Sequence, residues 1–201
     1  MAIGNWQMEN YCGMVTFACL MLILGLDPGT ATTGYGLLNI NESVDFEVFD
    51  CGLIETDKDT APAVRLVQIH DKICALIEKY KPDVMVIEKV FFSNNAKTVI
   101  RVGQAQGVML FCAANHNLEC MEYAPGTIKK AISGNGRSNK KEMQVALRKL
   151  FASVINNLKG SNGKPIGKTH IDNAIDALAI ALTHAYIIQD KMLTVRVELP
   201  S

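Results

Sequence analysis

The 201-residue sequence lacks several features that would assign it to a special class of protein. It has no evident internal repeats or low-complexity segments, and its net charge is zero, which gives no general indication of an anionic partner. No uninterrupted apolar run reaches the roughly 18 to 20 residues of a membrane span. The N-terminal stretch also lacks the basic segment of a signal peptide. We therefore expect a cytoplasmic protein with no membrane partner.

The six cysteines contain no CxxC pair and no spacing typical of metal ligands. Such a distribution favours buried, reduced thiols over disulfide bonds or a zinc framework. Hydrophobic residues make up 49% of the chain and charged residues 20%, so it can bury a sizeable core. One compact domain is the simplest organisation.

Charge is unevenly distributed along this neutral chain. Seven acids and one lysine lie between Glu42 and Asp59, whereas seven bases and one acid lie between Lys129 and Lys149. The basic run is either a solvated helix face or a local track for phosphate groups, and composition alone leaves both open. A Gly-rich turn within it, 133–137, could also hold phosphate through its backbone amides.

Hydrophobic periodicity predicts an α/β protein. Three strands with short connections form an antiparallel meander, and strands and helices then alternate, which indicates a mixed sheet flanked by helices. The predicted strands are 21–27, 33–40, 46–54, 83–90 and 118–123. The predicted helices are 61–80, 96–115, 125–132, 138–151 and 171–188, with a loop at 159–169.

Two apolar strands end on a carboxylate. Asp27 closes "LILGLD" and Glu88 closes "VMVIE", and the carboxyl ends of such strands are where open α/β sheets bind ligands. In the last helix, Asp172 and Asp176 are four residues apart and share one face. Grouped buried carboxylates need neutralising cations, and Mg²⁺ prefers oxygen ligands. The acids could instead cap helices or pair with nearby lysines.

Five motifs, taken in order, resemble the RuvC family of bacterial Holliday-junction resolvases. They are "GLDPGTATTGYG", "IEKVFFSNNAKT", "VGQAQGV", "EYAPGTIKKAISGNGRSNKKEMQ" and "DALAIALTHA". The resemblance covers about residues 21–190 and implies an RNase H-like mixed five-stranded sheet flanked by helices. It also implies a homodimeric endonuclease that resolves four-way DNA junctions by symmetric nicking.

The resemblance carries roles to particular residues. Asp27, Glu88 and Asp176 match metal-binding catalytic carboxylates for two Mg²⁺ ions per subunit, with Mn²⁺ expected to substitute. Phe91 matches an aromatic that reaches the junction centre. Lys129 and Lys140 match lysines that grip the DNA backbone, and Arg137 lies between them in the same motif. The implied partners are four-way junction DNA, a second copy of the chain and the RuvA–RuvB branch-migration complex.

The sequence departs from the family pattern at the fourth metal ligand. Three residues before Asp176 the family has an aspartate or a histidine, and here the residue is Asn173. Asp172 offers a full carboxylate one position earlier, so we predict Asp172 as the fourth ligand and keep Asn173 as the alternative. Gln106 stands where an arginine is more usual. His170 is a weaker candidate for an outer-shell group.

Other functions remain open at this point. Asn173 could impair the metal site and leave a junction-binding protein with weak or no cleavage, and a YqgF-like nuclease is a further alternative. The "DPGT" motif also occurs in actin-like kinases and chaperones, but that fold needs two such domains. We expect residues 1–20 to be a disordered extension or the product of an upstream start site, 21–190 the nuclease domain and 191–201 a tail.

Overall fold

The structure is a computed structural model, and it describes residues 7–11, 14–18, 21–40, 46–57, 59–90, 96–134, 140–152 and 168–198. Its strands are β1 (Gln7–Tyr11), β2 (Met14–Ala18), β3 (Met21–Asp27), β4 (Thr32–Ile40), β5 (Phe46–Glu55), β6 (Val84–Glu88) and β7 (Glu119–Tyr123). Its helices are α1 (Pro62–Tyr80), α2 (Ala96–Asn115), α3 (Pro125–Ser133), α4 (Lys140–Leu150) and α5 (Lys168–Glu198).

The main sheet has five strands in the order β5-β4-β3-β6-β7. Strand β4 is antiparallel to both β3 and β5, whereas β6 is parallel to both β3 and β7. The predicted mixed five-stranded sheet is therefore confirmed. Since β3, β6 and β7 run in the same direction, their carboxyl ends meet at one edge of the sheet.

Each face of the sheet is covered by a different set of helices. On one face, Leu24, Leu26, Met85 and Ile87 are buried together with apolar residues of α1 and α2. On the other face, Ile23, Val84 and Val86 are buried with α5, α3 and α4. This alternation follows from the two-residue period of a strand. It places every second residue of β3 and β6 under α5.

Helix α5 lies unusually close to the sheet because glycines face it. A methyl group on Gly25 would overlap the carbonyl oxygen of Ala177, and one on Gly34 would overlap the carbonyl oxygen of Asn173. Only a residue without a Cβ leaves room for this approach of two backbones. The glycines thereby fix where the first turns of α5 sit above β3 and β4.

Helix α5 also explains an apparent membrane signal. Ile171–Asp190 is long and apolar enough to cross a membrane by length and composition, although no uninterrupted apolar run of that length occurs. In the structure, 61% of that window is buried inside the protein. The segment is therefore the central core helix of the domain, where an apolar surface on most sides is expected.

Several element bounds differ from prediction. Helix α5 begins at Lys168 within the predicted loop and continues to Glu198 instead of ending at 188, because neither glycine nor proline interrupts the chain before Pro200. Within residues 1–20, for which the sequence predicts a disordered extension or the product of an upstream start site, β1 and β2 pair as an antiparallel hairpin, separate from the main sheet. Two residues separate these strands in the sequence, a spacing typical of hairpins. The domain limits at 21 and 190 stay predictions.

Cys51, Cys74, Cys112 and Cys120 are free thiols within the described part of the chain. Burial raises the pKa of Cys51 to about 12, and Asp50 adds to the effect. Burial likewise raises the pKa of Cys120 to about 12, with a smaller contribution from Glu122. Both thiols therefore stay protonated and unreactive near neutral pH.

The close packing of α5 yields a stability prediction. Gly34→Ala should lower the free energy of unfolding by about 1–3 kcal/mol, because the new methyl group overlaps the backbone of α5 and the helix must shift. Denaturant unfolding monitored by circular dichroism measures this change.

Gly103→Ala is the matched control, since an added Cβ there meets no atom within 4 Å in helix α2. That substitution should be neutral or stabilising by up to about 1 kcal/mol, the difference between alanine and glycine in a helix. Equal stability of Gly34→Ala and the unaltered chain would show that α5 does not pack as described.

Candidate active site

Asp27 and Glu88 end neighbouring parallel strands at the same edge of the sheet. The strands are in register up to Leu26 and Ile87, so the two acids follow as the next pair, with strands about 4.8 Å apart. Asp27 lies on the same side of β3 as Ile23 and Gly25, and Glu88 is its neighbour on β6. Both acids therefore point to the face covered by α5. Both side chains are half-buried and have interaction partners within the protein.

The turn that follows Asp27 is held by side chains from two other elements. Arg65 of α1 donates from Nη2 to the carbonyl oxygen of Thr30 at 2.7 Å and from Nε to Thr56 Oγ1 at 2.8 Å. Thr56 Oγ1 itself donates to the Thr30 carbonyl at 2.6 Å, and Thr33 Oγ1 donates to the Gly29 carbonyl at 2.7 Å. Because these bonds connect distant parts of the chain, no local motif indicated this role of Arg65.

Asp176 lies on α5, which packs over β3 and β4 next to this edge. The contact between Asn173 and Gly34 lies next to Asp27, because Gly34 is the register partner of Asp27 in β4. Asp176 is half-buried one turn further along α5. Two of the predicted carboxylates thus end neighbouring parallel strands at one edge of the sheet, and the third lies on α5, one turn past the contact with the register partner of Asp27.

Helix α4 packs beside this part of α5. Gln144 Nε2 donates to Asp176 Oδ1 at 3.5 Å, and Arg148 forms an ion pair with Asp172. Gln144 and Arg148 are four residues apart, as are the two aspartates, so α4 and α5 run antiparallel with two matching polar contacts. Neither Gln144 nor Arg148 was singled out from the sequence.

Asp172 and Asn173 take different directions around α5. On an ideal helix, Asp172 lies about 40° to one side of Asp176, whereas Asn173 lies about 60° to the other side, towards Ala177. The backbone oxygens of Asn173 and Ala177 are the atoms closest to the sheet glycines, so that side faces the sheet. Asp172 instead faces α4, where Arg148 neutralises its charge.

The donor set suits Mg²⁺. All the acids offer carboxylate oxygens, the ligands that hard divalent cations prefer. Among the described residues, the four acids do not bring three carboxylates within 4.8 Å of one another. Two ions about 4 Å apart distribute their ligands over a wider space than one ion does, so the residues present are compatible with a two-ion site.

The predicted DNA-contacting residues are only partly within the described structure. Lys129 is half-buried on α3, which begins directly after the carboxyl end of β7 and thus near the same edge of the sheet. Lys140 begins α4, but its side chain lies outside the described part. Phe91, Arg137 and the side chain of His170 also lie outside it.

Two polar pairs support the sheet beside the site. Tyr123, the register partner of Glu88, lies with its hydroxyl 2.7 Å from Nδ1 of the buried His184. Burial raises the pKa of Tyr123, with a smaller effect from Glu119, so the phenol stays neutral. Gln106, the replacement for the usual arginine, is buried and donates to Glu122.

The site and fold can be compared with known proteins. Residues 23–184 match the family model described as RuvC, crossover junction endodeoxyribonuclease. A crossover junction endodeoxyribonuclease RuvC from Caldicellulosiruptor saccharolyticus is 37% identical over 82% of this chain and 92% of its own length. Another from Gloeobacter violaceus is 41% identical over 82% of this chain and 88% of its own length.

Solved structures agree with this result. A Thermus thermophilus RuvC in complex with a Holliday junction substrate superposes with a TM-score of 0.70 at 25% identity, covering 85% of this chain and 96% of that one. The yeast mitochondrial Holliday junction resolvase Ydc2 shares the fold, with a TM-score of 0.61 at 16% identity over 82% of this chain and 77% of its own. The expectation from the sequence motifs is confirmed, and the chain belongs to the RuvC family of crossover junction endodeoxyribonucleases.

Proposed function

We propose that this chain is a Mg²⁺-dependent endonuclease that cuts four-way DNA junctions. The observation that carries the proposal is that Asp27 and Glu88 end neighbouring parallel strands, while α5, which carries Asp176, packs over the same part of the sheet. Family membership supports the substrate class, since the relatives are named crossover junction endodeoxyribonucleases. One of the similar solved structures is described as a complex with a Holliday junction substrate.

Asp27, Glu88 and Asp176 would hold the metal ions through their carboxylate oxygens. Bound Mg²⁺ supplies an activated water and charge stabilisation for phosphodiester hydrolysis. The protein orients these ligands through the β3–β6 register, the Arg65 contacts to the Thr30 turn and the Gln144 contact to Asp176. Fixed ligand positions are needed because small displacements of reacting groups reduce the rate steeply.

The first catalytic prediction concerns Asp27. Asp27→Asn should reduce junction nicking by more than about 100-fold, because it removes the charge of a direct metal ligand. Loss of a residue that only hydrogen-bonds to a ligand already costs up to about 100-fold. Junction binding should be retained, since the side chain keeps its shape. Cleavage of a synthetic four-way junction in Mg²⁺ and gel-shift binding in EDTA measure the two properties.

Lys129→Ala is the contrasting variant in the same assays. If Lys129 contacts a phosphate, its loss should weaken binding and reduce the salt dependence of binding by about 0.9 in slope. Near-normal cleavage by Asp27→Asn would contradict the carboxylate assignment. Tight binding without cleavage by the unaltered chain would favour the alternative of a junction-binding protein impaired at Asn173.

For the fourth metal ligand, the sequence favoured Asp172 over Asn173, whereas the packing of α5 favours Asn173. The Arg148 ion pair directs Asp172 to α4, and Asn173 lies on the sheet side of α5 near the partner of Asp27. An amide oxygen is a weaker ligand than a carboxylate but coordinates hard cations. We infer that the amide of Asn173 contributes to the metal site.

The second catalytic prediction distinguishes these two residues. Asn173→Ala should raise the Mg²⁺ concentration needed for half-maximal cleavage, and Asn173→Asp should lower it because the ligand gains a charge. Asp172→Asn should leave this requirement unchanged and reduce stability by up to about 1 kcal/mol, the usual value of a partly exposed ion pair. Magnesium titrations of the cleavage rate provide the measurement.

The opposite result has a clear meaning. A raised Mg²⁺ requirement in Asp172→Asn together with a silent Asn173→Ala would make Asp172 the ligand and would require Arg148 to release it.

We also propose that the chain forms a homodimer through the outer face of α1 and α2. Five large apolar side chains on these helices are exposed: Val64 (49%), Val67 (56%), Ile100 (61%), Leu110 (36%) and Phe111 (56%). Contiguous exposed apolar surface is typical of protein interfaces. This face lies across the sheet from the carboxylates, so pairing there would leave both sites open to DNA.

Phe111→Glu should therefore convert the protein to a monomer, because the interface would have to bury a charge. Sedimentation velocity measures the mass in solution. Phe49→Glu is the matched control, because Phe49 is similarly exposed, at 60%, but lies on β5. Its ring contact to α1 is an edge contact with Tyr80, the last residue of that helix. Monomerisation by Phe49→Glu alone would place the interface on another face.

A further inference from the structure

A histidine and two cysteines meet between α1 and α2, on the opposite face of the sheet from the carboxylates. His70 and Cys74 are four residues apart on α1, and Cys112 lies on α2. Their ligand atoms all lie within 4.8 Å of one another, and they form the one such group among the described residues. The sequence analysis did not predict this cluster, although "HDKIC" places a histidine and a cysteine at i and i+4 on one helix face.

The distances within the cluster approach those of a tetrahedral metal centre. Cys74 Sγ lies 3.5 Å from Cys112 Sγ and 3.6 Å from His70 Nε2. Zinc bonds of about 2.3 Å to sulfur and about 2.05 Å to nitrogen would separate two sulfurs by about 3.8 Å and a sulfur and a nitrogen by about 3.6 Å. Small side-chain movements would therefore suffice to admit an ion between the three atoms.

His70 has the second hydrogen bond that metal-binding histidines usually make. Its Nδ1 lies 2.9 Å from Asp71 Oδ1. When Nδ1–H donates to this carboxylate, Nε2 carries the free lone pair and faces Cys74. A carboxylate that orients a histidine in this way is a common feature of zinc sites and raises the basicity of the ligand. This contact is independent of the spacing of the three ligands.

The surroundings combine shielding with access. Cys112 is fully buried, Cys74 is half-buried and the His70 side chain is 33% exposed. His70 also borders a groove whose lining is mainly apolar and includes Leu66, Val67 and Phe111. In the single chain an ion can thus reach the ligands from solvent, and apolar side chains, of which Val67 and Phe111 would be covered in the proposed dimer, strengthen its electrostatic interaction with them.

We propose that His70, Cys74 and Cys112 bind one zinc(II) ion per chain, with water as the fourth ligand. Thiolate and imidazole ligands select zinc over Mg²⁺, which prefers oxygen. Binding releases the two thiol protons to solvent, so the neutral imidazole and two thiolates hold the ion. This site is chemically separate from the carboxylate site on the other face.

Zinc at this position would connect α1 to α2. No covalent bond joins these helices among the described residues, and their packing supports the exposed apolar face described above. A ligand that binds the folded chain alone stabilises it by mass action. Zinc at about 100 times its dissociation constant should raise the unfolding temperature by about 5 °C.

Cobalt(II) tests the proposal, because its charge-transfer absorption reports thiolate ligands and not carboxylates. The full-length chain is treated with EDTA in the presence of a reductant and desalted, and cobalt(II) is then titrated. We expect a thiolate band that saturates at one equivalent, is lost on addition of zinc and persists in excess Mg²⁺. Cys74→Ser should abolish most of the band, and Asp71→Asn should weaken zinc binding by about 10–100-fold.

Cys120→Ser is the matched control and should bind the metal normally. Asp71 is 68% exposed, so Asp71→Asn keeps the test decisive if a cysteine variant fails to fold. Absence of the band in the unaltered chain, or an unchanged band in Cys74→Ser, would overturn the proposal. Mild oxidation that removes two titratable thiols, with no metal bound in reductant, would also overturn it and identify a redox pair.

Discussion

The arrangement of the sheet edge at Asp27 and Glu88 depends on how closely the backbone of α5 lies against β3 and β4. Gly25 and Gly34 leave no side chain between the sheet and the carbonyl oxygens of Ala177 and Asn173. This contact sets the height and the rotation of α5, and therefore the position of Asp176 relative to Asp27 and Glu88. A helix held further away by even one methyl layer would lift its carboxylate from those of the strands.

The two faces of the sheet carry different chemistry. The face under α5 presents carboxylates at the strand ends, suited to hard cations and a phosphodiester substrate. On the other side, α1 and α2 present exposed apolar side chains on their outer face and a thiol and imidazole cluster between them, suited to association and to softer cations. The two sides are kept apart because the odd and even residues of β3 and β6 enter separate cores.

Charge placement around α5 shows how a neighbouring helix can change the use of a motif. Asp172 and Asp176 have the same residue type and share a face of the helix, yet α4 offers a cation to the first and an amide to the second. Neutralisation by Arg148 makes Asp172 part of the packing between two helices. Asp176 lies one turn further along α5, where its contact with α4 is to the uncharged amide of Gln144.

The sequence by itself determined the order and type of the main-sheet elements, the meander followed by parallel strands, and the strand-end positions of Asp27 and Glu88. These depend on local periodicity and on the direction of the chain, which short segments encode. Tertiary structure alone decided the pairing of Asp172 with Arg148, the contacts of Arg65 and the meeting of Cys112 with His70 and Cys74. Most of these contacts join residues that are 24 or more positions apart in the sequence. The exceptions are the hydrogen bond between Arg65 and Thr56 and the contact between His70 and Cys74, which lie one turn apart on the same helix. Which partner such a side chain meets is set by how whole helices and strands pack, and local sequence patterns carry no record of that packing.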